Sequence, residues 1–145
     1  DPPVIHRDFS PDNIICKPDG TLTVIDFGAA HEFLSMATGT IVGKQSYMPP
    51  EQFQGKTIPA SDVYALGATM YFLLTANDPE PLSQLHPKQI KSNISDRMNV
   101  FVNRLTEPNA VNRMSDADII YRSLCDMDDN VPPNDSQAQK GTENG

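Results

Sequence analysis

His6-Arg7-Asp8-Phe9-Ser10-Pro11-Asp12-Asn13, with Asp26-Phe27-Gly28 beginning thirteen residues after Asn13, is the stretch that decides this chain. Asn13 to Cys16 is a short β-type run. Lys17-Pro18-Asp19-Gly20 supplies turn chemistry: Pro sets φ, Asp bonds locally and Gly accepts positive φ. Thr21-Leu22-Thr23-Val24-Ile25 is β-branched and partly alternating, which reads as a strand. The two runs predict a small hairpin that returns Asp26 towards Asp8 and Asn13. Two carboxylates and an amide then form an oxygen-rich cluster. A hard cation such as Mg2+ takes ligands of this kind and usually shares them with phosphate. A second acid beside such a site can orient an attacking hydroxyl. Either short motif alone is weak, since Asp-x-Gly is often only a turn.

The rest of the chain narrows the setting. It has 145 residues, a net charge of -8 and a mean hydropathy of -0.42, enough for one modest core. Such acidity argues against a nucleic-acid partner, because phosphate binding needs basic surface. No run of about 18 apolar residues occurs, so no membrane segment is expected. The start, Asp-Pro-Pro-Val-Ile, has no signal-peptide pattern, and its lack of an initiator Met suggests a piece or a processed product. Cys16 and Cys125 form no paired motif and read as free thiols, with a reducing, cytoplasmic location. Asp126, Asp128, Asp129, Asp135 and Glu143 face only Lys140 in the last twenty residues, so half of the net charge lies there. Residues 126–145 are therefore expected to be a disordered acidic tail, and 1–125 the folded domain.

Residues 29–49 lack a period and read as an irregular loop of a length that is usually functional. A helix is expected from Ser61-Asp62 to about Leu74, with Ser61 as cap and Asp62 at the positive end of the dipole. Its apolar residues go nearly all round, which marks the central buried helix. Further helices are expected near 87–92, 94–106 and 115–125. The class is α+β, a hairpin followed by helices.

The ordered series HRDxxxxN, hairpin, DFG, loop and Tyr47-Met48-Pro49-Pro50-Glu51 resembles the protein-kinase signature set. Asp62-Val63-Tyr64-Ala65-Leu66-Gly67 is similar to the start of that family's central helix, and Arg113 to its late arginine. The wording Ser-Pro-Asp-Asn and Pro-Pro-Glu-Gln most resembles bacterial, cyanobacterial-like eukaryotic-type Ser/Thr kinases. The resemblance implies a kinase C-terminal lobe, mainly α-helical, with a small hairpin beside the catalytic loop. It further implies ATP and Mg2+ as cofactors and a protein substrate. Asp8 would accept or orient the substrate hydroxyl proton, and Asn13 and Asp26 would hold Mg2+ between the ATP phosphates. Phe27 and Gly28 would belong to the cofactor side, with His6 and Phe27 there as packing residues and Gly28 for its backbone freedom. Arg7 would meet a phosphorylated loop residue, Thr40 in the first place, with Thr38 and Ser35 as alternatives. Asp62 would accept backbone N–H bonds from the catalytic loop, and Glu51 and Arg113 would tie the end of the activation loop to the lower helices.

Two positions depart from the family. Ser10 stands where a Lys usually follows the catalytic Asp by two residues, and Lys44 stands where a Thr usually lies in G-T-x-x-Y. The partners look exchanged, so that Lys44 supplies the phosphate-directed charge that Ser10 cannot. No Gly-rich phosphate loop and no V-A-I-K-type lysine occur, so the N-terminal lobe is expected to be absent and these residues alone inactive and prone to aggregate through Leu66, Met70 or Leu73. Two other classes stay open. One is a non-catalytic kinase-like binding module, for which Ser10 speaks. The other is a small-molecule phosphotransferase, against which Arg7 and the long segment before Pro-Pro-Glu speak. The Ala-Ala-Arg of tyrosine-kinase catalytic loops is missing, which favours Ser/Thr hydroxyls.

Overall fold

The computed structural model describes residues 2–27 and 45–128. The chain divides into two compact units, Asp1–Ser115 and Asp116–Gly145.

In the first unit, β1 (Ile14–Cys16) and β2 (Leu22–Val24) pair antiparallel, with Ile14 opposite Val24 and Cys16 opposite Leu22. Both are shorter than the β-type runs of the sequence, but hydrogen bonds extend the ladder. Ile25 N–H donates to the Asn13 carbonyl (2.9 Å) and Lys17 N–H to the Thr21 carbonyl (2.9 Å). Gly20 turns the chain at φ 84°, a value that its missing Cβ permits. Asp19 Oδ1 accepts the Thr21 N–H beside it (2.9 Å). Ahead of β1, Pro11–Asn13 forms a single 3-10 turn after Ser10.

α1 (Pro50–Phe53) is a four-residue helix that the aperiodic sequence around it does not announce. α2 (Pro59–Thr75) is the long central helix. It begins two residues earlier than Ser61, because Pro59 at the first helical position already has the right φ and lacks an N–H to satisfy. Ser61 therefore does not cap from outside. It lies in the first turn, where its Oγ accepts the Ile58 N–H (3.1 Å). Ala76, at φ 59°, ends the helix in the left-handed region and donates its N–H to the Phe72 carbonyl (2.7 Å).

α3 (Pro87–Ile90) and α4 (Asp96–Leu105) pack on α2 and on each other. Ser95 Oγ caps α4 by accepting the Met98 N–H (3.1 Å). Tyr47, Tyr64, Ala68, Tyr71, Leu85 and Val102 form the core. Burying a side chain such as Val102 stabilises by roughly 1.5–3 kcal/mol before entropy is counted. The apolar girdle of α2 is only partly used. Tyr64 and Ala68 are fully buried, Leu66 and Met70 half-buried, and Leu73 is 69% exposed.

In the second unit, α5 (Ala117–Met127) starts at Asp116, whose Oδ1 accepts the Ile119 N–H (3.1 Å). Of the acidic stretch from Asp126, only residues 126–128 are described. Among the described residues both cysteines are free, and no helix is long and apolar enough to cross a membrane.

Candidate active site

The segment His6–Asn13 is held in part through its backbone. Asp62, in the first turn of α2, accepts the His6 N–H on Oδ2 (2.7 Å) and the Arg7 N–H on Oδ1 (2.9 Å). One carboxylate thus fixes two successive peptide units, as a charged acceptor does better than a neutral one. Arg7 sits at φ 68°, in the left-handed region that non-glycine residues seldom enter. Such a conformation costs of the order of 1–3 kcal/mol and persists only where the surroundings over-determine it.

His6 is buried and uses both ring nitrogens. Its Nδ1 accepts the Asp8 N–H (3.2 Å), so the ring proton lies on Nε2, which donates to the Ile25 carbonyl (2.7 Å). The ring packs edge-on to Phe9 (centroids 6.0 Å apart) and to Phe27 (4.6 Å). A single side chain therefore joins the backbone of Asp8, the exit of β2 and the residue after Asp26. Asp26 occurs at φ 61° and is exposed, at the end of the hairpin where Ile25 pairs with Asn13.

Asn13 is buried, and its Nδ2 donates both to the Asp8 carbonyl (2.7 Å) and to Asp8 Oδ2 (3.0 Å). With the amide nitrogen committed to Asp8, its Oδ1 is left as the acceptor of the pair. The turn Pro11–Asn13 brings Asn13 onto Asp8, and the hairpin, through Ile25 N–H on the Asn13 carbonyl, returns the chain to Asp26 at the same end. Ser10 is 2% exposed, and its Oγ has no hydrogen-bond partner among the described residues. Gly28, Ser35, Thr38, Thr40 and Lys44 lie outside the described residues.

A second cluster anchors α1. Arg113 is fully buried and spends all five N–H donors. Nη1 donates to Glu51 Oε1 (2.6 Å) and the Ala60 carbonyl (2.7 Å), and Nη2 to Glu51 Oε2 (3.2 Å) and the Pro108 carbonyl (3.3 Å). Nε donates to the Glu107 carbonyl (2.8 Å), and the guanidinium carbon lies 5.2 Å from the Tyr64 ring centre. Ser61 Oγ adds a donor to Glu51 Oε1 (2.9 Å). Burial pushes the Glu51 carboxyl upward, but Arg113 and Ser61 outweigh it and hold the group below the ordinary glutamate value. Burial pushes the Tyr64 phenol up to about 12 against the opposing charge of Arg113, and its hydroxyl donates to the Ser83 carbonyl (2.9 Å).

Two contacts have no counterpart in the sequence reading. Gln52 Nε2 donates to the Arg7 carbonyl (2.6 Å), and Tyr47 donates its hydroxyl to Asp78 (3.0 Å). The available signal for Gln52 was its place beside Glu51, but nothing in the order of residues says that α1 faces the catalytic loop.

Among the described residues, no group of three or more His, Cys, Asp or Glu side chains could hold a metal ion alone. The donors at the Asp8 end are oxygens, two carboxylates and one amide. That set fits Mg2+, which binds through one or two carboxylates and takes its remaining ligands from water and phosphate.

A helical lobe with a two-stranded sheet set against an acid–amide pair is the architecture of the large lobe of protein kinases. Residues 1–139 match the protein kinase domain family, and the chain belongs to it. Serine/threonine-protein kinase D of Synechocystis sp. is 32% identical over 136 residues, which cover 83% of this chain and 27% of that protein. Serine/threonine-protein kinase PknA of Nostoc sp. is 40% identical over 88 residues, covering 54% of this chain and 16% of its own length. The fold resembles that of the apo form of PpkA-294, with a TM-score of 0.65 at 23% identity over 83% of this chain and 46% of the other. The chain thus spans about a quarter or less of the length of these two curated relatives.

Proposed function

We propose that this protein works as a Ser/Thr protein kinase, transferring the γ-phosphate of ATP to protein hydroxyls. The observation that carries the reading is the Asn13 amide bonded to both the carbonyl and the carboxylate of Asp8 at the end of the hairpin that leads to Asp26. Asp8 accepts or orients the proton of the substrate hydroxyl. Asn13 Oδ1 and the Asp26 carboxylate would hold Mg2+, which would offset charge on the phosphates. Lys44 provides the cation that Ser10 replaces in the catalytic loop. Arg7 receives a phosphate on Thr40, or on Thr38, and so orders the loop. Net acidity disfavours a nucleic-acid partner, and the two free thiols fit a cytoplasmic location.

The test is phosphate transfer from labelled ATP to a panel of Ser- and Thr-containing proteins by the longest product of the gene. Asp8→Asn is expected to lower transfer by about 10²-fold or more, as loss of a general base does. Lys44→Ala is expected to do the same through loss of transition-state charge stabilisation. Normal turnover in Lys44→Ala would end the exchange of roles between positions 10 and 44. Ser10, standing where the family usually carries a Lys, favours a second reading, a non-catalytic binding module. Nucleotide binding with no transfer by the unaltered protein would select it.

A further inference from the structure

The peptide between Arg7 and Asp8 is gripped at both ends by side chains, one from the preceding residue His6 and one from α1. Its N–H, from Asp8, bonds the His6 ring (3.2 Å), and its carbonyl, from Arg7, accepts Gln52 Nε2 (2.6 Å). The next carbonyl, that of Asp8, accepts the Asn13 amide (2.7 Å). The plane of this peptide sets the direction in which the Asp8 side chain leaves the backbone. Arg7 is left-handed at φ 68°, so the peptide relaxes if one grip is released. Gln52 is also the neighbour of Glu51, which Arg113 and Ser61 hold in place. The four-residue α1 thus has one residue anchored to the lower helices and the next reaching the catalytic loop.

We infer that Gln52 is a positioning residue for catalysis, which transmits the placement of α1 to Asp8 through the Arg7 carbonyl. The catalytic readout rests on the kinase reading above, whereas the backbone readout does not. The role needs a donor at Nε2. Glutamate has the same shape, but when ionised it only accepts, and it would face a carbonyl oxygen. When protonated it donates again.

The experiment has two arms. In the first, amide hydrogen exchange is followed by NMR on the 145-residue chain and its Gln52→Glu variant at neutral pH. Exchange of the Asp8 N–H should accelerate about tenfold or more, with the core amides of α2 unchanged. Unchanged protection at Asp8 overturns the inference, whatever the activity. In the second, kcat and KM are measured on the longest product of the gene. Gln52→Glu should lower kcat about tenfold with little change in KM for ATP, a size suited to a misplaced catalytic group. A deficit confined to KM overturns the positioning role. If the unaltered protein transfers no phosphate, the kinase reading fails, and the exchange arm still decides the grip on Asp8.

Discussion

Arg113 and Glu51 show what a single charged residue does once it is buried. A guanidinium removed from water is costly unless its donors are matched, and here two carboxylate oxygens and three carbonyls match all five. Arg113→Met leaves Glu51 charged and half-buried, so the expected loss is about 3–5 kcal/mol in urea unfolding of the chain. Arg113→Lys should recover only a minor part, since one ammonium cannot meet five acceptors spread in a plane. A lysine variant as stable as the original would refute this account. The pH dependence has a definite sign. Glu51 is held below the ordinary glutamate value, so the unfolded chain binds its proton more readily than the folded one. Its contribution is complete above that ordinary value and declines as pH falls through the folded value. The acid-induced fall in Tm should therefore be smaller in Glu51→Gln than in the original protein, and equal falls would argue against it.

At the scale of elements, the contact of α2 with α4 is set by one glycine. A Cβ on Gly67 would lie 2.7 Å from both Leu105 Cβ and Thr106 Cγ2. Alanine would raise helix propensity by up to about 1 kcal/mol. Overpacking of a close helix crossing costs about 1–3 kcal/mol, and the carbon met at Leu105 sits directly on the backbone, where little yields. Gly67→Ala is therefore expected to destabilise, with a lower urea midpoint at unchanged m-value. A raised midpoint would mean that the helices separate without loss. The central helix was legible from apolar residues on all sides, and its N-terminus was misplaced by two residues because Pro59 and Ser61 both carry start signals. The hairpin was legible from Pro-Asp-Gly between two β-branched runs. α1 was not, since four residues held by tertiary bonds leave no periodic trace.

For the whole molecule, the apolar girdle of α2 has a consequence in solution. Leu73 is 69% exposed, while Tyr64 and Ala68 on the same helix are completely buried. The expected outcome is concentration-dependent association of the 145-residue chain in sedimentation velocity, reduced by Leu73→Ser. Association that is unchanged in this variant would place the adhesive surface elsewhere.

The order of motifs along the chain was enough to determine the family and the hairpin, because spacing between a loop, a tight turn and a second loop is a local property. It could not determine that Asp62 takes two backbone N–H groups, that His6 carries its ring proton on Nε2, or that Gln52 reaches Arg7. Those contacts join residues that lie up to 56 positions apart. Only packing of α1, α2 and the hairpin exit against the His6–Asn13 segment decides them, since hydrogen bonds depend on distance and direction in space and not on separation along the chain.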